Sequence, residues 1–169
     1  MTAFTVRPET AADQAGIRAT VGAAFDTDAE ARLVDALRDD GDALISLVAV
    51  RDGAVLGHVL LSVARIGGVP VLALAPVAVT PAYQGRGIGR ALIDAALERG
   101  RAMGFGAVVV LGDPSYYPRF GFEPAAPHGI ECPYDAPADA FMVLELSPGA
   151  LGRLSGTVVY APAFAALTA

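Results

Sequence analysis

The spacing of apolar positions predicts the elements of the first half of the chain. Ile17, Val21 and Ala24 recur at helical spacing and would form one buried stripe. Two apolar, β-branched runs are joined by Arg51-Asp52-Gly53, which is typical of a hairpin turn. In chain order we predict a strand at residues 4–7, a helix from residue 10, a helix at 29–38, and strands at 44–50 and 55–63.

The second half of the chain alternates strand and helix. Residues 69–79 are apolar at nearly every position, which predicts a strand covered on both faces. Pro76 removes one ladder donor, so this strand should carry a bulge or lose a neighbour there. A helix is predicted at 87–103 with Gly104 as its stop, followed by strands at 107–111 and 141–146. The order strand, helix, strand implies a parallel crossover.

Composition and charge narrow the class of protein. With 169 residues, 54% of them hydrophobic, the chain suits one α/β domain over residues 1–169. A net charge of −6 argues against a nucleic-acid partner and against a polybasic membrane anchor. The uncharged stretches at 66–83 and 154–169 are broken by proline or too short to span a membrane. We therefore expect no membrane partner and a cytoplasmic location.

Absent residue types exclude several kinds of chemistry. All 12 basic residues are arginine, so a P-loop lysine and a Schiff-base lysine are both excluded. The single cysteine, Cys132, allows neither an intrachain disulfide nor a cysteine zinc cluster. The two histidines, His58 and His128, do not have the spacing of a metal motif. We expect no metal.

The strongest functional signal is a glycine-rich loop between the strand at 69–79 and the next helix. Gly85, Gly87 and Gly89 alternate, and Arg86 and Arg90 stand between and after them. Such a loop aims free backbone N–H groups and the positive end of the helix dipole at one place. Glycine leaves room for a phosphate oxygen and tolerates positive φ. The loop therefore predicts a site for an anion, most simply a pyrophosphate.

Two motifs together carry a resemblance to a known family. The glycines do not have the G-x-G-x-x-G spacing of a Rossmann dinucleotide site. Gln84-x-x-Gly87-x-Gly89 instead resembles the Q/R-x-x-G-x-G/A signature of the GNAT superfamily of acyl-CoA-dependent N-acyltransferases. Tyr117-Pro-Arg-Phe-Gly121-Phe122 resembles the Y-x-x-x-G-F element of that family.

The resemblance implies a fold and a cofactor. The fold would be one α/β domain with a mixed, mostly antiparallel sheet of about seven strands and about four helices, splayed at a cofactor wedge. The loop would hold the pyrophosphate of acetyl-CoA, or another acyl-CoA, and the strand before it would pair with the pantetheine arm. The implied cofactor-binding residues are Val77, Ala78, Val79, Gln84, Gly85, Arg86, Gly87, Ile88, Gly89 and Arg90.

The resemblance also implies direct attack of a primary amine on the thioester, with Tyr117 as the general acid. An ordinary phenol has a pKa about 1.5 units above that of a thiol, so it can donate to the leaving thiolate. Tyr117 is also explained by packing in an aromatic cluster with Tyr116, Phe120 and Phe122. Backbone N–H groups near Val77 and Val79 would polarise the thioester carbonyl.

The chain departs from the family pattern in two places. Residues 72–79 contain no acidic residue, so the base stays open among Glu30, His58, Asp139, a water chain or none. Asp113-Pro114 replaces the usual start of the second motif; it still predicts a helix start, which Pro118 should cut short. Arg119 either contacts a phosphate of CoA or is a surface residue. We expect Cys132 to be a thiol without a catalytic role, and His128 to be a loop residue.

The acceptor stays open between a small molecule and a peptide. Its walls would come from residues 25–37, the hairpin near His58 and the loop 125–140, where Glu131, Asp135 and Asp139 would attract a cationic amine. The hairpin and the tail after Tyr160 also allow a homodimer. Two other classes remain: a non-catalytic acyl-CoA-binding domain and a protein that binds a different pyrophosphate such as NAD.

Overall fold

The strands of the structure follow the apolar runs of the sequence. The computed structural model describes residues 3–167. The strands in this part of the chain are β1 (Thr5–Pro8), β2 (Ala43–Arg51), β3 (Ala54–Ile66), β4 (Val69–Val79), β5 (Ala107–Leu111), β6 (Glu123–Pro124), β7 (Ile130–Glu131), β8 (Phe141–Glu145), β9 (Gly156–Thr157) and β10 (Val159–Tyr160). Each strand predicted from the sequence is present, within one to three residues at its ends.

The helices also begin and end close to their predicted limits. The α-helices are α1 (Gln14–Ala24), α2 (Ala29–Asp39) and α3 (Ile88–Ala102), and a 3-10 helix at Pro162–Leu167 ends the described chain. Gly104 ends α3 as predicted: its φ is +88° and its N–H donates to Arg101 O at 3.0 Å. None of the helices in residues 3–167 is long and apolar enough to cross a membrane.

The predicted mixed, mostly antiparallel sheet is confirmed. Within residues 3–167, eight strands hydrogen-bond in the order β1-β2-β3-β4-β5-β8-β6, with β10 paired to β3, while β7 and β9 form a separate pair. The parallel β4–β5 pair confirms the predicted crossover through α3. Its register joins Leu72 to Val108 and Ala73 to Val109. The paired stretch lies before Pro76, as expected for a residue that cannot donate to the ladder.

The described chain forms two compact units, which β3 and β4 both enter. The first unit comprises residues 3–62, 75–96 and 162–167. In it α1 and α2 pack on each other, and Arg18 of α1 pairs with Asp35 of α2 at 3.2 Å. Its core is fully buried and consists of large aliphatic side chains, among them Ile17, Leu37, Leu47, Leu60 and Leu92. Burial of each such side chain contributes about 1.5–3 kcal/mol.

The second unit comprises residues 63–74 and 97–161. Its core combines β3, β4, β5 and β8 with the loops that cover them: Ala64, Ile66, Val71, Ala73, Ala107, Val109, Ala125, Ile130, Phe141, Val143, Leu151, Leu154 and Val158. β3 is longer than predicted because β10 pairs with it, joining Val159 to Arg65 and Tyr160 to Ala64. The prediction that residues 1–169 form one domain stays a prediction.

Candidate active site

The glycine-rich loop begins where β4 ends. After Thr80 the chain makes a short 3-10 turn, Pro81–Tyr83, in which the Tyr83 N–H donates to Thr80 O at 2.8 Å. The Gln84 amide then reaches back, its Nε2 donating to Val79 O at 3.0 Å. This bond closes the turn, so Gln84 holds the loop against the end of the strand.

Gly85 and Gly87 give the loop its shape. Their φ angles are +77° and +84°, in the left-handed region that favours glycine, and a Cβ at either position would meet open space. The first helical bond of α3 runs from the Ala91 N–H to Gly87 O at 3.1 Å. The N–H groups of Ile88, Gly89 and Arg90 therefore precede the first N–H that donates within the helix, that of Ala91, and carry the positive partial charge of the helix end.

The start of α3 is held in place by a residue that the sequence reasoning missed, Gly57 of β3. A Cβ at Gly57 would lie 2.9 Å from Ile88 Cγ2 and Leu92 Cδ1 and 3.2 Å from Ala78 O. Ile88 and Leu92 are fully buried. The helix thus lies closer to the sheet than a side chain at residue 57 would allow. A glycine inside an apolar strand pattern is the sequence signal for such a close approach.

Two threonines join the loop to α1, and neither was singled out in the sequence. The Thr20 hydroxyl donates to Val55 O at 3.2 Å and lies 3.4 Å from the Thr80 hydroxyl. The Thr80 N–H donates to Leu56 O at 2.9 Å. Because Thr20 has one hydroxyl proton, the Thr80 hydroxyl is the donor to Thr20. These bonds fix Thr80 at the turn from strand to loop.

Arginine side chains make the loop electropositive. The Arg86 guanidinium lies 5.3 Å from the centre of the Tyr83 ring. Arg90 is exposed and lies 3.9 Å from Asp94, one turn along α3. The structure thus brings the predicted anion-site residues together on one loop and helix start. They are exposed at Gln84, Gly85, Arg86, Gly87 and Arg90, half-buried at Val77, Val79 and Gly89, and buried at Ala78 and Ile88.

Tyr117 lies in the second unit, in a short 3-10 helix, Tyr117–Phe120. Its ring is buried against Tyr116 and Phe122, with centroids 5.2 and 5.7 Å away. It also covers Gly112, where a Cβ would lie 2.5 Å from Tyr117 Cε2. Burial, with smaller effects of Tyr116 and Asp113, raises the pKa of Tyr117 to about 12. The phenol therefore stays protonated at neutral pH inside the predicted aromatic cluster.

The helix start predicted at Asp113-Pro114 is wrong, because residues 114–116 form a turn that leads into the 3-10 helix. Asp113 accepts the Ser115 N–H at 2.8 Å and the Ser115 hydroxyl at 2.7 Å, which makes a turn where the sequence predicts a helix start. Gly121, at φ +101°, ends the 3-10 helix. Arg119 lies over the Tyr116 ring at 4.3 Å, and its Nε donates to Tyr116 O at 2.8 Å.

The base candidates from the sequence differ sharply in environment. His58 is fully buried on β3, its Nε2 lies 2.8 Å from the Ser46 hydroxyl, and burial together with Arg38 lowers its pKa to about 3. This supports the role of a hydrogen-bonded strand residue rather than a base. Glu30 accepts the Thr27 hydroxyl at 3.4 Å, and Asp139 is exposed in a 3-10 turn. Across residues 3–167, no three His, Cys, Asp or Glu side chains are grouped as metal ligands.

Fold and loop together define the class of protein. The mixed sheet has a parallel β4–α3–β5 crossover, and a glycine-rich loop stands at the carboxyl end of β4. The model of the acetyltransferase (GNAT) family matches residues 15–122, more than half of the chain. The chain belongs to this family, which confirms the resemblance carried by the two motifs.

Relatives and solved structures agree with this assignment. The chain is 40% identical over 158 residues to a protein of Escherichia coli K12 named uncharacterized N-acetyltransferase YhbS, covering 92% of this chain and 95% of the relative. A crystal structure of E. coli YhbS in complex with CoA has a TM-score of 0.92 at 39% identity and covers 96% of this chain and 92% of that one. A GNAT acetyltransferase from Brucella melitensis in complex with acetyl-CoA has a TM-score of 0.79 at 36% identity, covering 97% and 99%.

Proposed function

We propose that the protein is an N-acetyltransferase that moves the acetyl group of acetyl-CoA to a primary amine of a small molecule or peptide. The observation that carries this proposal is the loop of positive-φ glycines that leads into α3, in a chain of the GNAT family. CoA in the YhbS structure and acetyl-CoA in the Brucella structure support the choice of cofactor.

The residues present fit the cofactor. A pyrophosphate needs backbone donors, positive charge and room, and residues 84–90 supply the N–H groups of the α3 start, Arg86 and Arg90, and glycines without side chains. In this proposal Val77, Ala78 and Val79 pair with the pantetheine arm and polarise the carbonyl through their N–H groups. Bound acetyl-CoA supplies a thioester whose carbonyl carbon an amine attacks.

Tyr117 is proposed as the acid that protonates the leaving sulfur. A phenol with a pKa of about 12 is a weaker acid than the sequence suggested, because burial disfavours the phenolate. Transfer to a thiolate of ordinary pKa, about 8.5, is uphill by roughly 5 kcal/mol. A rate of tens of turnovers per second corresponds to an activation free energy of about 15 kcal/mol. The proton-transfer cost is smaller than this, so it is compatible with such a rate. The raised pKa also keeps the donor protonated throughout the working range.

Calorimetry and a single substitution test this function. We expect acetyl-CoA and CoA to bind and NAD not to bind. With a panel of primary amines (arylalkylamines, polyamines and a dipeptide with a free N-terminus), Tyr117→Phe should lower kcat about 100-fold and leave the affinity for acetyl-CoA unchanged. Tyr116→Phe is the matched control, since it removes a hydroxyl from the neighbouring ring, and should have much the smaller effect.

The contrary results separate the alternatives. Binding of acetyl-CoA without turnover of any amine favours a non-catalytic acyl-CoA-binding domain. Full activity of Tyr117→Phe removes the acid role and leaves the packing role. No binding of either CoA species overturns the proposal as a whole. The homodimer and the cytoplasmic location stay predictions, the first to be checked by light scattering.

A further inference from the structure

The chain contains two histidines, and their side chains differ in solvent exposure. His58 is fully buried, and its Nε2–H is directed to Ser46, whose hydroxyl donates to Glu9. His128 follows β6 in a 3-10 turn, Ala126–His128, and its side chain is 30% exposed. Of the two histidines, His128 is therefore the one whose imidazole solvent reaches.

His128 is paired with a carboxylate. Its Nε2 hydrogen-bonds to Glu123 Oε1, on β6, five residues earlier in the chain. A carboxylate only accepts, so Nε2 carries the proton and donates it to Glu123. The lone pair of the neutral ring then lies on Nδ1. A base oriented by a second group in this way is the arrangement that activates nucleophiles in many enzymes.

Sheet topology places the His128–Glu123 pair and Tyr117 at the same end of the sheet, where β5 and β6 terminate. β6 is antiparallel to β8, and β8 is antiparallel to β5, so β5 and β6 run in the same direction. Val110 of β5 and Pro124 of β6 are both in register with Met142. The Tyr117 ring covers Gly112, just after β5, and His128 lies just after β6. β5 and β6, which precede the two segments, are two strand spacings apart, about 10 Å.

We propose that His128, oriented by Glu123, is the base that removes the proton of the acceptor ammonium. The inference rests on the proposed function and fills the role that no acidic residue of β4 can take. An alkylamine has a pKa of about 10 and arrives protonated at neutral pH. Nδ1 takes one proton from its nitrogen, one N–H bond breaks and one N–H bond forms on the ring, and Glu123 stabilises the imidazolium.

The remaining proton transfers balance without a further reactant. The ring passes its proton to water, and the free amine pair forms the C–N bond as Tyr117 gives its proton to the sulfur of the breaking C–S bond. The second proton then leaves the nitrogen and, by way of water, replaces the one that Tyr117 gave. The products are an amide, a thiol and one released proton.

The charged groups around His128 fit this role. Besides Glu123 on β6, Glu131 on β7 packs next to the turn, and its carboxylate accepts the Thr157 hydroxyl at 3.4 Å. Both carboxylates attract the imidazolium that forms when the ring takes the proton of the acceptor.

Chemical rescue tests the proposal. The assay uses acetyl-CoA and the amine of the panel with the highest kcat/KM. His128→Gly should lower kcat about 100-fold, and added imidazole should restore it in proportion to its concentration. His128→Gln keeps a donor toward Glu123 and tests whether loss of the basic nitrogen alone inactivates a folded protein. Glu123→Gln should lower kcat while the KM for acetyl-CoA stays unchanged, and its control, Glu98→Gln on the exposed surface of α3, should change neither.

The results also distinguish this inference from the proposed function. All variants should bind acetyl-CoA as the wild type does, because His128 is assigned to the acceptor. If His128→Gln keeps kcat within threefold of wild type, or imidazole does not rescue His128→Gly, the base role is wrong although the enzyme remains an acetyltransferase. If the wild type neither binds acetyl-CoA nor acetylates any amine, both proposals fall.

Discussion

At the scale of single residues, small side chains decide where functional ones lie. The Tyr117 ring occupies the space that a Cβ on Gly112 would fill, and Tyr116 and Phe122 close the other sides of the ring. The position of the phenol is therefore set by packing as much as by its own backbone. Burial in this cluster also determines the pKa of the phenol.

Replacing Gly112 should displace the proposed acid. In Gly112→Ala the new Cβ would lie 2.5 Å from Tyr117 Cε2, so the ring must move. We expect a loss of about 1–3 kcal/mol in unfolding free energy and at least a tenfold drop in kcat. Gly152→Ala is the control, because a Cβ there meets nothing within 4 Å. Equal kcat values for the two variants would contradict the packing argument.

The carboxylate of Asp13 should make the free energy of unfolding depend on pH. Arg7 donates two hydrogen bonds to its carboxylate, at 2.7 and 3.0 Å, and Thr10 donates a third from its N–H at 2.7 Å. These bonds, that of Arg7 above all, hold the pKa of Asp13 well below its usual range. The folded pKa is the lower one, so the stabilisation is complete above about pH 5, declines as pH falls below the unfolded value of about 4, and is fully lost only below the folded pKa.

The comparison of wild type with Asp13→Asn checks this. Near neutral pH the variant should lose about 1–2 kcal/mol of unfolding free energy. Urea titrations at a series of pH values should show the difference shrinking below pH 4. A difference independent of pH would mean that the charge of Asp13 does not carry the effect.

At the scale of elements, the backbone conformation of the turn from β4 into α3 determines which N–H groups are exposed. Gly57 allows the helix to approach the sheet, Gln84 and Thr80 fix the turn, and two positive-φ glycines expose the N–H groups. Each of these features acts on the backbone rather than through a reactive side chain. The loop is therefore sensitive to substitutions that add a single methyl group.

Paired glycine substitutions separate the stability of the loop from its binding. Gly87→Ala and Gly104→Ala both place alanine at positive φ, +84° and +88°, with open space around the new Cβ. Each should cost about 1–2 kcal/mol of stability, since L-residues disfavour this region. In calorimetry Gly87→Ala alone should weaken acetyl-CoA binding, by about tenfold. Equal affinity in both variants would remove Gly87 from the binding loop.

At the scale of the whole molecule, the described chain forms two compact units, and β3 and β4 each contribute residues to both. A ligand that binds only the folded chain adds its binding free energy to the stability of that chain. The thermal midpoint is therefore a readout of cofactor binding that needs no acceptor.

Acetyl-CoA should raise the midpoint of thermal unfolding. At a concentration of about 100 Kd it adds roughly 2.7 kcal/mol, which for a chain of this size is about 5–11 °C. NAD at the same concentration should leave the midpoint unchanged. Scanning calorimetry of the wild type and Gly87→Ala, each with both ligands, checks the prediction. A rise with NAD equal to that with acetyl-CoA would indicate a general pyrophosphate site.

The amino-acid sequence by itself determined the strands β1 to β5 and β8, the three α-helices, the crossover and the glycine-rich loop. These follow from local rules: apolar periodicity sets which face of a segment is buried, and proline and glycine restrict or free the backbone at single positions. Residues 69–79 and 107–111 were predicted with the limits that the structure has. The helix start predicted at Asp113-Pro114 is wrong, because a turn stands there and only a short 3-10 helix, Tyr117–Phe120, follows.

Tertiary structure alone decided the environments of the chemical groups. It buried His58, left His128 partly exposed beside Glu123, raised the pKa of Tyr117, and placed Gly57 under side chains distant in the chain. Burial and hydrogen bonding depend on residues that are close in space and far apart in sequence. The pattern of residues within one segment does not show which groups are buried or hydrogen-bonded. The sequence therefore left the general base open, and the proposal of His128 depends on the fold.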